Sequence, residues 1–157
     1  MASTLTSGTM TVTLVESLTL NGKDQGSVNK LSISGINSIS KTIVTTTTDK
    51  LEYLAFGTGV GKGTFNEANV RYMRFTNKDD TNFIVLFFTN ESSDEVGIKL
   101  DAGQSYIWNA DINGGLVDNM DANSGGAASS GQLADITKVQ IQADTASCDV
   151  EMFVAST

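Results

Sequence analysis

Apolar and polar residues alternate in short runs along most of this chain, which is the pattern of β-strands with one buried face. The clearest example is the segment 70–108. Within it, runs over 70–76, 83–88, 96–100 and 106–108 are separated by Asn, Asp, Ser and Gly, which favour turns. This segment therefore predicts four strands of an antiparallel sheet.

The N-terminal part of the chain continues this alternation. Met10, Val12 and Leu14 alternate with threonines, and the pattern runs as far as Asn21-Gly22, a dipeptide that is typical of two-residue hairpin turns. The residues that follow are mostly polar up to position 29, with Val28 as the one large apolar residue. We therefore expect either a short hairpin or a loop there.

Three further patterns complete the predicted secondary structure. Isoleucines spaced by three and four residues predict a brief helical turn over 36–39, which leads into a strand over 40–48 that is rich in β-branched residues. A second strand is predicted over 51–56. Near the C-terminus, alternating runs over 138–143 and 148–154 flank a short turn and predict a closing hairpin.

Together these patterns predict an all-β fold of about nine to eleven short strands. We expect a two-layer antiparallel β-sandwich, and the pattern leaves a jelly-roll and an immunoglobulin-like topology open. A chain of 157 residues is most simply one domain. We expect a polar N-terminal arm over 1–9 and a single sandwich domain over 10–157, with long loops near 57–69 and 111–132 that are candidates for function.

The composition disfavours several classes of partner. The net charge is −8, from 10 Lys and Arg against 18 Asp and Glu, so the phosphates of a nucleic acid would be repelled. The sequence has no apolar run of about 18 residues, so we expect no membrane association. The single Cys148 has no partner for an intramolecular disulfide, and the first residues lack a secretory pattern, so we expect synthesis in the cytoplasm.

Catalytic chemistry has little support in the sequence. The chain has no histidine, the side chain most often used for acid–base catalysis. The adjacent carboxylates Asp79-Asp80 and Asp94-Glu95 fall in predicted turns, where solvation keeps them from acting as a glycosidase pair. We therefore expect no enzyme, no catalytic residue and no cofactor.

Two loops contain residues that bind phosphate or calcium in other contexts. One contains Gly61-Lys62, but the glycine and hydroxyl residues that a phosphate-binding loop needs around this pair are missing. The other begins at Asp111, but an EF-hand register would place Leu116 and Ala122 where glycine and glutamate are required. A looser calcium site in this second loop stays open, and we assign no metal ligand.

Aromatic side chains offer a further binding hypothesis. Tyr72, Phe75, Tyr106 and Trp108 would be able to stack on sugar rings if they lay on the surface. The alternation places Tyr106 and Trp108 on one face of their strand, where packing in the core or in an interface is the simpler interpretation. Cys148 shares the apolar face of its own strand, so we expect a buried thiol.

The sheet edges point to assembly. The chain has no proline, one of the residues that keeps edge strands from pairing with other chains. Few basic side chains are available for the same purpose. We therefore expect partner chains to cover the edges.

The chain also carries three strand-and-turn motifs. They are R-x-T-N-x-D ending at Asp79, L-x-A-G-x-S ending at Ser105, and the last strand from Cys148 to Ala155. Together they resemble motifs of small virion proteins of tailed bacteriophages, particularly marine phages. The resemblance implies a β-sandwich decoration or cement protein on the head surface, which clasps and stabilises the major capsid protein lattice. A tail or neck component is the next alternative, and a carbohydrate-binding adhesion module is a further one.

The partners expected on this basis are the major capsid protein and copies of the chain itself, with a trimer as the expected homo-oligomer. Candidate interface residues lie in the N-terminal arm and the two long loops. They are Met1, Thr4, Leu5, Gly59, Lys62, Phe65, Asn113, Asp118 and Asp121.

Overall fold

A computed structural model of the chain describes residues 6–57, 64–66, 69–109 and 136–157. These residues form thirteen β-strands and no α-helix, which confirms the predicted all-β class. The strands are β1 (Gly8–Glu16), β2 (Thr19–Leu20), β3 (Lys23–Asp24), β4 (Ser27–Ile36), β5 (Ser38–Thr45), β6 (Leu51–Phe56), β7 (Thr64–Phe65), β8 (Val70–Asn77), β9 (Ile84–Asn90), β10 (Glu95–Leu100), β11 (Ser105–Asn109), β12 (Ile136–Ala143) and β13 (Asp149–Ser156).

Two packed sheets form the body of the protein. The front sheet has the strand order β11-β8-β13-β5, and the back sheet has the order β10-β9-β12-β6-β7. All neighbouring strands are antiparallel except the short β6/β7 pair. When the eight body strands other than β7 are numbered one to eight along the chain, starting at β5, the front sheet contains strands one, three, six and eight. The back sheet contains strands two, four, five and seven. This is the strand order of a jelly roll, one of the two topologies that the sequence left open.

Alternate residues of the two sheets meet in a single apolar core. Phe75 of the front sheet contacts Phe88 of the back sheet edge to face, with the ring centroids 6.2 Å apart. Phe88 also meets Tyr106 at 5.6 Å. Cys148 is fully buried beside Val150, as its position in the alternation predicts. This interlocked core makes the body a rigid support for whatever the surface carries.

An additional two-stranded ribbon, residues 8–36, belongs to neither sheet; we call it the arm. It is a different segment from the N-terminal arm that the sequence predicts over 1–9, which it overlaps only at residues 8 and 9. Its long strands β1 and β4 pair along almost their whole length, and β2 and β3 form a small hairpin at its end. Asn21 and Gly22 have φ angles of 51° and 75°, which are the positive values that a type I′ turn requires. Of the short hairpin and the loop that the sequence left open at this dipeptide, the structure shows the short hairpin.

The arm joins the body through a tight connection. Only Asn37 separates β4 from β5, and its N–H donates to the Ser156 carbonyl at 2.9 Å. Gly35 lies just before it with φ +77°, in the left-handed region that glycine adopts without strain. Here the ribbon turns into the front sheet.

Two predictions about secondary structure are wrong. The helical turn over 36–39 is absent, because Ile36 ends β4 and Ile39 belongs to β5. The closing hairpin is also absent: β12 lies in the back sheet and β13 in the front sheet, so the turn between them crosses the sandwich. The predicted loop 111–132 lies outside the described residues.

Candidate functional site

The basal half of the arm packs on the outward side of the front sheet, which we call the front face. In the β1/β4 ladder Met10 lies opposite Ile33 and Val12 opposite Leu31, so these four side chains share one side of the ribbon. They form a second apolar cluster with front-face residues. That cluster contains Ile33, Ile36, Tyr72 and Ala155 as buried members, with Met10, Val12, Leu31 and Phe153 packed against it.

The aromatic pair beneath the arm supports this contact. Tyr72 and Phe153 meet edge to face, with the ring centroids 5.7 Å apart. Burial raises the pKa of the Tyr72 phenol, although the neighbouring Arg74 guanidinium opposes the shift. The two rings form an apolar seat for the base of the arm.

Two surface clefts show the path of the arm across the front face. At the base, Ile36 borders Ile39 of the edge strand β5. Further along, Val12 borders Ile107 of the opposite edge strand β11 across a cleft of about 340 Å³. The arm therefore crosses the front sheet from its β5 edge to its β11 edge.

Beyond this contact, the arm has no support within the part of the chain that the structure describes. All eighteen residues from 13 to 30 are exposed, and we call this segment the arm tip. A two-stranded ribbon is at best marginally stable in water when nothing packs on it. Five large apolar side chains nevertheless lie here with 48–63% of their surface exposed: Leu14, Val15, Leu18, Leu20 and Val28.

The exposed apolar side chains are concentrated on one side of the molecule. Among the described residues ten large apolar side chains are exposed, and eight of them lie on the arm tip or the front face. The three on the front face are Ile39, Ile43 and Ile107. By contrast, the central strand of the back sheet turns Lys138, Gln140 and Gln142 outward. Concentrated apolar surface of this kind marks an interaction site.

A chain of polar contacts crosses all four strands of the front face. Lys41 lies 3.4 Å from Glu151, Arg74 donates to both Glu151 and Thr76, and Thr76 lies 2.7 Å from the Ser105 hydroxyl. The hydrogen bond from Arg74 and the one from Lys41 hold the pKa of Glu151 below its ordinary value. The charged groups of this face therefore satisfy one another.

The arm and the front face together carry no net charge, although the chain carries −8. Four bases balance four acids. The bases are Lys23, Lys30, Lys41 and Arg74, and the acids are Glu16, Asp24, Asp149 and Glu151. With Arg71 at the bulge of β8 not counted, this side of the molecule is apolar and close to neutral, while the negative charge of the chain lies elsewhere.

Most interface residues predicted from the sequence lie outside the described residues. These are Met1, Thr4, Leu5, Gly59, Lys62, Asn113, Asp118 and Asp121. Phe65 is described: it lies in β7 at the edge of the back sheet, pairs with Phe56, and packs its half-buried side chain against the core. Its role in an interface stays a prediction. The arm tip was not predicted as a site, although Leu18 and Leu20 beside Asn21-Gly22 were a signal for it.

The aromatic residues considered for sugar binding are buried or half-buried, Tyr72 under the arm and the other three in the core between the sheets. Trp108 is only 4% exposed, and Phe75 and Tyr72 are buried as well. Tyr106 is half-buried against Phe88. No described residue accepts a hydrogen bond from the Trp108 indole N–H. These four rings form no exposed stacking platform.

The paired carboxylates have structural partners. Asp79 accepts hydrogen bonds from the N–H groups of Asn82 and Thr81 at 2.6 and 2.8 Å, which lowers its pKa. Glu95 opens β10 rather than lying in a turn, and Lys50 donates to it at 2.7 Å, which lowers the pKa of Glu95. In the described segments no three His, Cys, Asp or Glu side chains are placed to hold a metal ion. The same segments contain no helix of the length and hydropathy that crossing a bilayer requires.

Comparison with known proteins gives no identification of this chain. No family model matches the sequence, no curated protein matches it, and no solved structure matches it. The surface formed by the arm tip and the front face is therefore the starting point for a functional argument.

Proposed function

We propose that this chain is a structural protein of a virus particle, a head decoration protein that binds and stabilises the lattice of the major capsid protein. The observation that carries the proposal is the arm tip, a projecting ribbon of eighteen exposed residues with five large apolar side chains. The resemblance of the sequence motifs to those of phage virion proteins supplies the particle as the setting.

The arm tip has the chemistry of an interface segment. Burying a Leu or Val side chain completely is worth about 1.5–3 kcal/mol, and these side chains have about half of that still to gain. A partner that covers Leu18, Leu20 and Val28 would also remove the ribbon from water, where it is marginally stable. The arm is therefore best explained as a segment that is covered in an assembly.

The body of the protein suits a repeated contact on a shell. A jelly roll with a close-packed core holds the arm in a fixed position, since the arm is seated on Tyr72 and Phe153. A symmetric lattice then repeats the same modest contact at every copy, and copies that are linked to one another gain binding strength through effective concentration. Jelly rolls occur in viral capsid and lectin domains, which is an analogy of fold alone.

The charge distribution supports a position on the outside of a shell. A net charge of −8 repels packaged nucleic acid, so a location on the inner surface would be unfavourable. The neutral arm allows contact with a capsid surface of either sign. An exterior decoration role agrees with both features.

A binding experiment with undecorated heads of the encoding phage tests this proposal. We expect saturable co-sedimentation of the purified chain with the heads, and raised resistance of the decorated heads to heat. Replacing Leu18 and Leu20 by serine is expected to weaken binding at least tenfold. The matched control is Val96→Ser, which removes an exposed apolar side chain that is not on the arm.

Absence of saturable binding to heads would overturn the proposal. Labelling the chain in intact particles provides a second criterion. Label on the head surface supports the decoration role. Label confined to the tail or neck would overturn that role and indicate a tail or neck component instead.

A further inference from the structure

We propose that the arm tip docks on the front face of a second copy of this chain, so that two copies pair about a two-fold axis with their arms crossed. This pairing goes beyond the capsid proposal: it uses the same arm tip but a different partner surface, so one arm tip is covered either by a shell or by a second copy. It concerns the chain on its own, in the absence of any shell.

The front face already accepts an arm within one copy. The register of the front sheet arranges its outward residues in rows that cross the four strands. The basal half of the arm covers Ala155 and Tyr72 in the first row and Phe153 in the second. The next row, which begins at Ile43 on β5, lies beyond this footprint.

The uncovered part of the front face resembles the covered part. Ile39 and Ile43 are 59% and 62% exposed, and both point outward from the edge strand β5. Lys41 lies between them and is paired with Glu151. This strip is therefore apolar, its one charged side chain is paired within the same copy, and its isoleucines are exposed to a partner.

The strand order decides which edges meet when two front faces are opposed. The arm reaches the β11 edge, and β5 is at the opposite edge of the same sheet. Rotation by 180° about an axis that runs along the strands, between two facing sheets, exchanges the edges. The β11 edge of one copy then lies over the β5 edge of the other. The arm tip of each copy thereby meets Ile39 and Ile43 of the other copy.

Electrostatics favours this side over any other for self-association. Two copies with a charge of −8 each repel one another through most of their surface. The arm and the outward register positions of the front sheet carry four bases and four acids, so an approach through this side avoids most of that repulsion.

The available surface is large enough for a specific pair. A standard interface uses about 20–30 residues on each side. Each copy contributes its arm tip, whose eighteen exposed residues are shared between the two sides of the ribbon, together with the outward residues of β5. Because the two-fold arrangement uses both arms, each contact occurs twice.

Mass measurement of the purified chain in solution, by sedimentation equilibrium and native mass spectrometry, tests the pairing. We expect a reversible dimer, which differs from the trimer expected from the sequence. Leu20→Lys in the arm tip and Ile43→Lys on the front face are each expected to raise the dissociation constant at least tenfold. Val96→Lys is the control, because it places the same charge at a partly exposed apolar position on the edge strand of the back sheet. Val96 lies opposite the buried Phe88, so circular dichroism is used to check that this variant keeps the fold.

A cross-linking experiment identifies the two surfaces directly. Leu20→Cys protein is mixed with Ile43→Cys protein under mild oxidation, and the native Cys148 stays protected because it is fully buried. We expect a disulfide-linked heterodimer in this mixture and none when Val96→Cys replaces Ile43→Cys. Equal cross-linking in both mixtures would contradict the proposed contact, and a wild-type chain that is monomeric or trimeric would overturn the two-fold pair.

The two proposals fail in different ways. A monomeric chain that binds undecorated heads would overturn the pairing and support the capsid role. A dimer with the predicted cross-link that does not bind heads would do the reverse.

Discussion

The buried side-chain amide of Asn77 donates a hydrogen bond to the main-chain carbonyl of Leu100 at 3.2 Å. The same amide donates to the Asn82 carbonyl at 2.8 Å. The Asn77 backbone completes the link, since its N–H donates to Gln104 and its carbonyl accepts from Gly103. One buried residue thus joins the turn after β8 to the corner between β10 and β11. These are two of the motif segments that resemble phage virion proteins. Their polar residues therefore hold the fold together through hydrogen bonds.

We expect Asn77→Ala to destabilise the protein. The substitution leaves two main-chain carbonyls without this donor, and a buried unsatisfied polar group costs about 1–3 kcal/mol. Urea unfolding measured by circular dichroism provides the free energy. The matched control is Asn29→Ala, because Asn29 is exposed and its side chain makes only a 3.3 Å hydrogen bond to Ser27. Equal stability of the two variants would mean that Asn77 does not hold the corner.

Gly26 is expected to be essential for the shape of the arm tip. A Cβ at this position would lie 2.4 Å from the Glu16 carbonyl oxygen, closer than real contacts allow. Gly26→Ala should therefore speed amide hydrogen exchange in the arm tip and weaken any association that uses it. The unfolding free energy of the body should change by no more than about 0.5 kcal/mol, since the substitution lies far from the core.

Gly57→Ala is the control for this substitution. A Cβ on Gly57 would meet nothing within 4 Å. The variant should exchange and associate as the wild type does. If Gly26→Ala behaved in the same way, the close approach at Glu16 would not constrain the arm.

Local periodicity explains how much of the fold could be predicted. The strands β8, β10 and β11 appear almost at their predicted positions, because each alternates between a core side and an outward side. Which strands lie next to each other in a sheet could not be predicted from this periodicity. β12 and β13 show alternation that fits a hairpin, yet the turn between them crosses from one sheet to the other. Alternation within a strand does not specify its neighbour.

The candidate site could not be predicted from the sequence for a related reason. Val12 and Leu14 occupy equivalent positions in the alternation of β1, but Val12 packs in the apolar cluster under the arm and Leu14 is exposed. Only the three-dimensional path of the arm separates them. The polar residues after Gly22 also concealed the ladder, since β4 pairs with β1 from Ser27 onward despite its polar start.

The single tryptophan should report on the core. Because Trp108 is buried, we expect its fluorescence emission to be blue-shifted relative to the unfolded chain and poorly quenched by acrylamide. Addition of mono- and oligosaccharides should leave the emission unchanged. Saturable quenching by a sugar would instead support a carbohydrate-binding role and would contradict the placement of this ring.

Acid should destabilise the protein in part through Glu151. Its hydrogen bonds to Arg74 and Lys41 hold the folded-state pKa of Glu151 below the ordinary value of 4.5. A carboxylate with a lowered pKa contributes stability at pH values above its unfolded pKa, and this contribution is lost as the pH falls through the folded pKa. Wild-type stability should therefore decrease as the pH falls below about 4.5.

Glu151→Gln tests the size of that contribution. The variant keeps a hydrogen-bond acceptor but has no carboxyl group to titrate, so its urea midpoint should depend less on pH between about pH 7 and pH 3. Some dependence should remain, because Asp79 and Glu95 also have lowered pKa values. Glu91→Gln, in the exposed turn between β9 and β10, is the control and should follow the wild-type curve. If the wild type and Glu151→Gln lost stability in parallel, the polar chain across the front face would not be a source of the acid sensitivity.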